Sequence, residues 1–288
     1  MSKKDLLDNI KKLRELTGVG FKDCKIALEE AKGDIEKSIE FLRKKGIAKA
    51  SKKMSRTAAE GLVLVKSKEG EIAIIEINSE TDFVAKNRDF IKFCKELSEL
   101  NFSNKGNISE LNNAKMTNGS SVADNLLNLI AKIGEKITIR RAKFFDCSKG
   151  KNFFYVHSSI EKNIGKIISI VKLDGINHIE NKDLGNKIAM HIAASNPLAI
   201  DKKDIDKSIV DKESEIIKAE IINSGKPAEI ADKISQGKIT KFLNENSLLN
   251  QVWIMDPKKK VLDILKENSK KTEIKVLKFV RYKVGEGV

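Results

Sequence analysis

The sequence is poor in the residues from which metal, redox and disulfide sites are built. It contains three cysteines and three histidines in 288 residues. Cys24, Cys94 and Cys147 are odd in number and far apart, which is the spacing of neither a disulfide framework nor a zinc motif. The histidines have no metal-ligand spacing either. We therefore expect no metal and no cofactor, and thiols kept reduced in a cytoplasmic environment.

Catalytic and membrane signatures are also missing. The chain has no Gly-x-x-x-x-Gly-Lys-Ser/Thr loop for nucleotide phosphates and no Gly-x-Gly-x-x-Gly after a predicted strand. No Ser/His/Asp or Cys/His arrangement has motif support. No apolar run approaches the length of a membrane span, and the first residues begin a polar amphipathic helix instead of a secretory signal. We expect no catalytic residues and no contact with a membrane.

Aromatic residues make up only 5% of the chain, whereas the formal net charge is +14. Such a charge is typical of nucleic-acid binding, but the lysines are spread over nearly every predicted element among 41 acidic residues. No aromatic RNA-recognition motif accompanies them. We interpret the charge as a solvated lysine-rich surface that steers the chain toward an acidic partner, and we expect no specific nucleic acid.

Apolar residues at helical spacing predict three short helices in residues 1–46. Gly33 is expected to end the second helix and Gly46 the third. The basic, alanine-bearing residues 47–60 then form a linker with some helical character. This organisation predicts a small N-terminal domain ahead of a larger core.

The rest of the chain repeats one order of predicted elements: strand, strand, helices, strand. The first copy occupies residues 61–146, in which residues 101–119 are predicted to be a loop. The second occupies residues 147–288 and is interrupted at about 204–245 by an antiparallel helical hairpin, with Gly225 at its turn. The predicted fold class is α+β, with a two-lobed core of repeated antiparallel sheet plus helices.

Residues 77–87 are where the second strand must turn into a helix. Apolar residues from Phe83 onward recur at helical spacing, and Thr81 or Asp82 can accept hydrogen bonds from the first helical turn. Two interpretations stay open from the residues alone. Asp82 and Phe83 form a wedge presented to a partner, or they are an N-cap and a hydrophobic staple packed on the sheet.

The run from Asn78 to Asn87, Asn-x-x-Thr-Asp-Phe-Val-Ala-Lys-Asn, resembles the Thr-Asp-Phe-Val-Ala-Lys signature of bacterial elongation factor Ts. Thr17-Gly-Val-Gly and Asp23-Cys24-Lys25-Ile-Ala-Leu match that family's first segment. The resemblance implies a UBA-like (ubiquitin-associated-like) fold for the N-terminal helices. It also implies a translation elongation factor that binds the GTPase elongation factor Tu. There it promotes GDP release, and so GTP rebinding, by displacing Mg²⁺ and distorting the nucleotide pocket.

The resemblance also implies roles for individual residues. We call the strand-to-helix turn within residues 77–87 the corner. At the partner interface, Thr81 and Asp82 fix the corner, Phe83 is the wedge that dislocates Mg²⁺, and Val84 packs behind Phe83. Auxiliary partner contacts are Lys25, Ile133, Gly134, His157 and His191. Such a factor acts by binding and is not an enzyme in the ordinary sense. Some family members continue into a further helix that docks on the GTPase. That contact is expected either to be absent here or to be supplied by other surfaces.

Three alternatives stay open. A basic RNA- or ribosome-binding protein without exchange activity would use the linker and the small domain. A structural oligomer would self-associate through the helical hairpin. For the small domain alone, the third alternative is ubiquitin binding, which we discount because the rest of the chain resembles a bacterial translation factor.

Overall fold

A computed structural model describes residues 3–17, 21–51, 55–176, 182–223, 228–269 and 272–288. In these ranges the chain forms helices and an antiparallel sheet, which confirms the α+β fold class. Of the helices found there, none is long and apolar enough to cross a lipid bilayer.

The N-terminal helices are α1 (Lys3–Thr17), α2 (Phe21–Glu30) and α3 (Ile35–Ser51). Each turns an apolar stripe toward the other two, as the 3.6-residue period predicts. The stripes form a separate small core made of Ile10, Leu13, Cys24, Ala27, Leu28 and Leu42. The helical prediction for this segment is therefore confirmed in the described residues.

The next elements are β1 (Glu60–Lys68), β2 (Glu71–Ser79), α4 (Asp82–Ala85), α5 (Arg88–Ser103), α6 (Ile108–Asn113), α7 (Val122–Ile133) and β3 (Ile137–Phe145). Strand β2 pairs antiparallel with β1 on one side and β3 on the other. The prediction of a loop over residues 101–119 is wrong at α6. Asn107 caps this helix by accepting the N–H groups of Ser109 and Glu110, and a six-residue helix is too short to show a period.

Helix α3 joins the N-terminal helices to the core by packing on α7. Arg43 of α3 pairs with Asp124 of α7. The prediction that α3 ends at Gly46 is wrong, because the helix continues to Ser51. A glycine inside a helix costs only about 1 kcal/mol, and packing of α3 on α7 offsets that cost. A Cβ at Gly46 would make an ordinary contact, 3.4 Å, with the Ala131 side chain. Of the predicted linker, residues 52–54 lie outside the described residues.

The second half contains β4 (Lys151–Glu161), β5 (Ile164–Asp174), α8 (Lys182–Ser195), α9 (Lys207–Asn223), α10 (Ala228–Asn246), β6 (Val252–Trp253), β7 (Asp256–Lys260), α11 (Val261–Asn268) and β8 (Lys275–Lys283). Strand β5 lies between β4 and β8, as β2 lies between β1 and β3. The predicted repeat is therefore present in the strand topology. Helices α9 and α10 pack together as the predicted hairpin, and its predicted turn at residues 224–227 lies outside the described residues.

The two repeats, which we call the first and second lobes, share a sheet and a core. Val63 and Leu64 of β1 pair with Gly165 and Ile164 of β5, which makes the sheet continuous in the order β3-β2-β1-β5-β4. The sheet faces turned away from the helices share a cluster of buried side chains: Val63, Val65, Ile72, Ile74, Phe145, Ile168, Ile170 and Tyr282. This common core keeps the outer surfaces of the lobes at a fixed separation.

Candidate functional site

The corner after β2 presents a phenyl ring to solvent. Strand β2 ends at Ser79, and Thr81, in an extended conformation (φ −125°, ψ 158°), precedes the first residue of α4. Phe83 is 78% exposed, more than any other large apolar side chain in the described residues. A hydrophobic staple would be packed on the sheet, so the staple interpretation is wrong and the ring is free to enter another molecule.

The next side chain points the other way. Val84 is 4% exposed and belongs to the core between the first sheet and its helices, with Leu62, Ile75 and Phe90 among its members. The resemblance implies that Val84 lies at the partner interface, but a buried side chain does not touch a partner in this conformation. The Val84 side chain anchors the corner to the first-lobe core.

The corner is a separate turn of helix and not the start of the long one. The sequence predicts one helix from Phe83 to about residue 100, which is wrong, because α4 ends at Ala85. The side chain of Asn87 accepts the N–H groups of Asp89 and Phe90 at 2.9 and 3.3 Å and so starts α5 anew. Phe83 is thereby carried on a short projecting turn ahead of α5.

A carboxylate lies next to the exposed ring. Asp82 is half-exposed, and Lys86 Nζ donates to its Oδ2 at 2.7 Å. This hydrogen bond lowers the pKa of the Asp82 carboxyl below its ordinary value. The corner therefore presents a carboxylate that stays charged and a bare aromatic ring side by side.

Thr81 fixes the corner in a way that its sequence position does not predict. We expected Thr81 or Asp82 to cap the helix, but Thr81 makes no side-chain cap hydrogen bond. Its hydroxyl and its backbone N–H both donate to the carboxylate of Glu135, at 2.9 and 3.1 Å. In the opposite direction, Glu80 Oε1 accepts the backbone N–H of Lys136 at 2.5 Å. Sequence reasoning missed both glutamates, because neither forms part of a motif or a period.

These bonds bring the end of α7 to the corner. Gly134, at φ 86°, ends α7 in the left-handed conformation that favours glycine, and its N–H donates to the carbonyl of Ile130 at 2.9 Å. Ile133 packs against the first-lobe core, half-buried. Glu135 follows directly, so the predicted auxiliary residues Ile133 and Gly134 lie in one surface region with Thr81.

Two other predicted contacts lie on separate elements. Lys25 is on α2, where its half-exposed side chain pairs with Glu29 at 3.7 Å. His157 is exposed on β4 of the second lobe, with its Nδ1 3.4 Å from the hydroxyl of Tyr155. Both side chains are accessible to a partner.

The prediction that His191 contacts the partner is wrong, because the residue is buried. Its side chain on α8 has no accessible surface, its Nε2 lies 3.0 Å from Gln251 Oε1, and its ring stacks on Trp253 at 5.2 Å between centroids. Burial lowers the pKa of the imidazole. His191 is a packing residue of the second lobe, next to the buried Trp253.

Comparison with known proteins decides the family. The sequence matches the family described as Elongation factor TS over residues 80–286, which begins at Glu80 of the corner. The chain belongs to the elongation factor Ts family. Elongation factor Ts of Methylorubrum extorquens (strain PA1) is 43% identical over 283 residues, 97% of this chain and 92% of that protein. Elongation factor Ts of Clostridium kluyveri is 42% identical over 287 residues, with the same two coverages.

Membership of the elongation factor Ts family assigns the chain to protein biosynthesis, as a translation elongation factor. The similarity extends over nearly the whole chain and includes the N-terminal helices, both lobes and the helical hairpin. The corner with Thr81, Asp82 and Phe83 is therefore part of a fold shared with its relatives and not an isolated motif match.

Proposed function

We propose that this protein is the guanine-nucleotide exchange factor of elongation factor Tu, which it binds in the GDP-bound and nucleotide-free forms. It acts by binding in the cytoplasm and makes no covalent bond. The observation that carries this proposal is the exposed ring of Phe83 beside the charged Asp82, on a corner held rigidly by its neighbours.

The corner can act on a nucleotide pocket without making or breaking a covalent bond. A GTPase retains its nucleotide phosphates largely through the charge of a bound Mg²⁺. A phenyl ring that enters beside that pocket displaces the segment around the ion, and the adjacent Asp82 carboxylate, paired with Lys86, enters the same region. Once the ion is loosened, GDP leaves and GTP can bind in its turn.

Binding at surfaces away from the corner has to offset the cost of distorting the pocket. The end of α7 at Ile133 and Gly134 lies beside the corner and extends that contact. His157 of the second lobe and Lys25 of the N-terminal helices provide more distant contacts. Because the lobes share a core, their spacing is fixed. A partner that contacts both lobes must therefore match that spacing.

The remaining parts of the chain support this interaction. The N-terminal helices have their own core and dock on α7, which supports a UBA-like N-terminal domain that contacts the same partner. Its third helix extends to Ser51, so the domain runs past residue 46 and the connection to the lobes is shorter than the expected 47–60. We retain 61–146 and 147–288 as the lobes, and about 204–245 as the inserted hairpin. Self-association through that hairpin stays a prediction.

The direct experiment follows release of a fluorescent GDP from elongation factor Tu with and without this protein. We expect acceleration by the wild type and a roughly tenfold or larger loss of it in Phe83→Ala, since burying such a ring is worth about 1.5–3 kcal/mol. Val252→Ala is the matched control, because Val252 on β6 is an apolar side chain, 55% exposed, outside both the corner and the hairpin. No acceleration by the wild type would overturn the proposed function; equal rates for Phe83→Ala and wild type would overturn the wedge.

A further inference from the structure

Two glutamates form hydrogen bonds, in opposite directions, between the corner and the connection from α7 to β3. Glu80 belongs to the corner and accepts the backbone N–H of Lys136 in the connection, at 2.5 Å. Glu135 belongs to the connection and accepts the backbone N–H and the hydroxyl of Thr81 in the corner. We call this reciprocal pair, Glu80 with Lys136 and Glu135 with Thr81, the carboxylate clasp.

The clasp forms where the pairing of β2 with β3 brings the corner and the connection close together. Ser79, the last residue of β2, is paired with Ile137, the first residue of β3. The residues just beyond this pair leave the sheet on neighbouring paths. The Ser79 hydroxyl also donates to the carbonyl of Thr81 at 2.9 Å, so the corner is bonded both internally and to its neighbour.

The clasp consists of strong interactions in a half-buried position. Hydrogen bonds from backbone N–H groups to a carboxylate are charge-assisted and stronger than neutral ones. A further contact comes from Arg56, whose Nη1 lies 3.2 Å from Glu80 Oε2, while Lys136 Nζ donates to the Arg56 carbonyl at 2.7 Å. The corner is therefore held from two sides ahead of the exposed ring.

We propose that Glu80 and Glu135 are positioning residues for nucleotide exchange, which hold Phe83 in the orientation that it needs inside the partner. This inference rests on the proposed function. A corner ordered in advance pays no ordering cost when the ring enters the partner. Without the clasp, the two lobes still bind, but the ring reaches its working position in only a fraction of the complexes.

The test measures GDP release from elongation factor Tu as a function of factor concentration. The maximal rate and the concentration at half-maximal effect are recorded for wild type, Glu135→Ala and Glu135→Gln, with thermal unfolding of each. The matched control is Glu96→Ala, because Glu96 is also half-buried in the first lobe and also accepts a threonine backbone N–H, that of Thr117.

We expect Glu135→Ala to lower the maximal rate about tenfold, with a much smaller change in the half-maximal concentration. Glu135→Gln keeps one acceptor oxygen and should recover part of the rate. Glu96→Ala should leave the maximal rate unchanged. If Glu135→Ala does not fold, Thr81→Val and Thr81→Ser repeat the comparison, since only serine keeps the hydroxyl that donates to Glu135.

Two results would overturn the clasp alone: a maximal rate for Glu135→Ala equal to that of Glu96→Ala, or a change confined to thermal stability. In either case Phe83→Ala would still be slow. Absence of acceleration by the wild type would instead remove the proposed function and, with it, this inference.

Discussion

The carboxylate of Glu76, on the central strand of the first lobe, accepts the backbone N–H of Gly285, 209 residues later in the chain, at 2.9 Å. Glu76 is fully buried, and Arg140 and Arg141 of β3 also donate to it, at 3.0 and 2.5 Å. Asn78 donates a further hydrogen bond at 3.1 Å. A buried charge with this many partners ties the residues after β8 to the first lobe.

Removal of the Glu76 carboxylate should destabilise the fold strongly. We expect Glu76→Ala to lower the free energy of unfolding by roughly 3 kcal/mol, because two arginines and a backbone N–H lose their buried partner. Denaturant unfolding measures the change, and Glu99→Ala, which breaks the exposed pair with Lys66, should cost under about 1 kcal/mol. A loss no greater in Glu76→Ala than in Glu99→Ala would show that the buried network contributes little.

The adjacent residues Val84 and Phe83 should contribute very differently to the stability of the fold. Val84→Ala leaves a cavity in the first-lobe core, and we expect it to lower the unfolding free energy by roughly 1–3 kcal/mol. Phe83→Ala removes an exposed ring and should change it by less than about 0.5 kcal/mol. Unfolding of the two variants in parallel measures both values. Equal losses would mean that Phe83 packs on its own chain.

The long elements were predictable from the sequence because their apolar residues keep a period over many positions. Helix α7 with Gly134 after it, the hairpin of β1 and β2, and the inserted helical hairpin all have this property. Shorter features were missed for a physical reason. Helix α6 depends on the side chain of Asn107, and the break before α5 depends on that of Asn87, and such single hydrogen bonds leave no periodic trace.

The candidate site was only partly predictable. An apolar residue after an N-cap has the same local pattern whether it packs on the sheet or projects into solvent, so only the fold distinguishes the two for Phe83. His191 is predicted as a partner contact, but its burial depends on Gln251 and Trp253, which are distant in sequence. The glutamates that fix Thr81 come from a connection that β3 pairing brings close, and no local pattern marks them.

The buried imidazole predicts a pH dependence of stability. The folded-state pKa of His191 lies below the ordinary value because burial disfavours the charged ring. As the pH falls below about 7, the unfolded chain takes up the proton first, so the unfolding free energy decreases until the folded-state pKa is passed. We expect a steeper loss between about pH 7 and 5 in wild type than in His191→Gln, measured by denaturant unfolding. Identical slopes would contradict this assignment.

The reciprocal nature of exchange supplies the most direct test of the account. Calorimetry would give the dissociation constants of this protein for nucleotide-free and for GDP-loaded elongation factor Tu, with wild type and with Phe83→Ala. We predict tighter binding of wild type to the nucleotide-free form, by the same factor by which it weakens GDP, and a ratio about tenfold smaller for Phe83→Ala. Equal affinity of the wild type for the two forms would contradict the account.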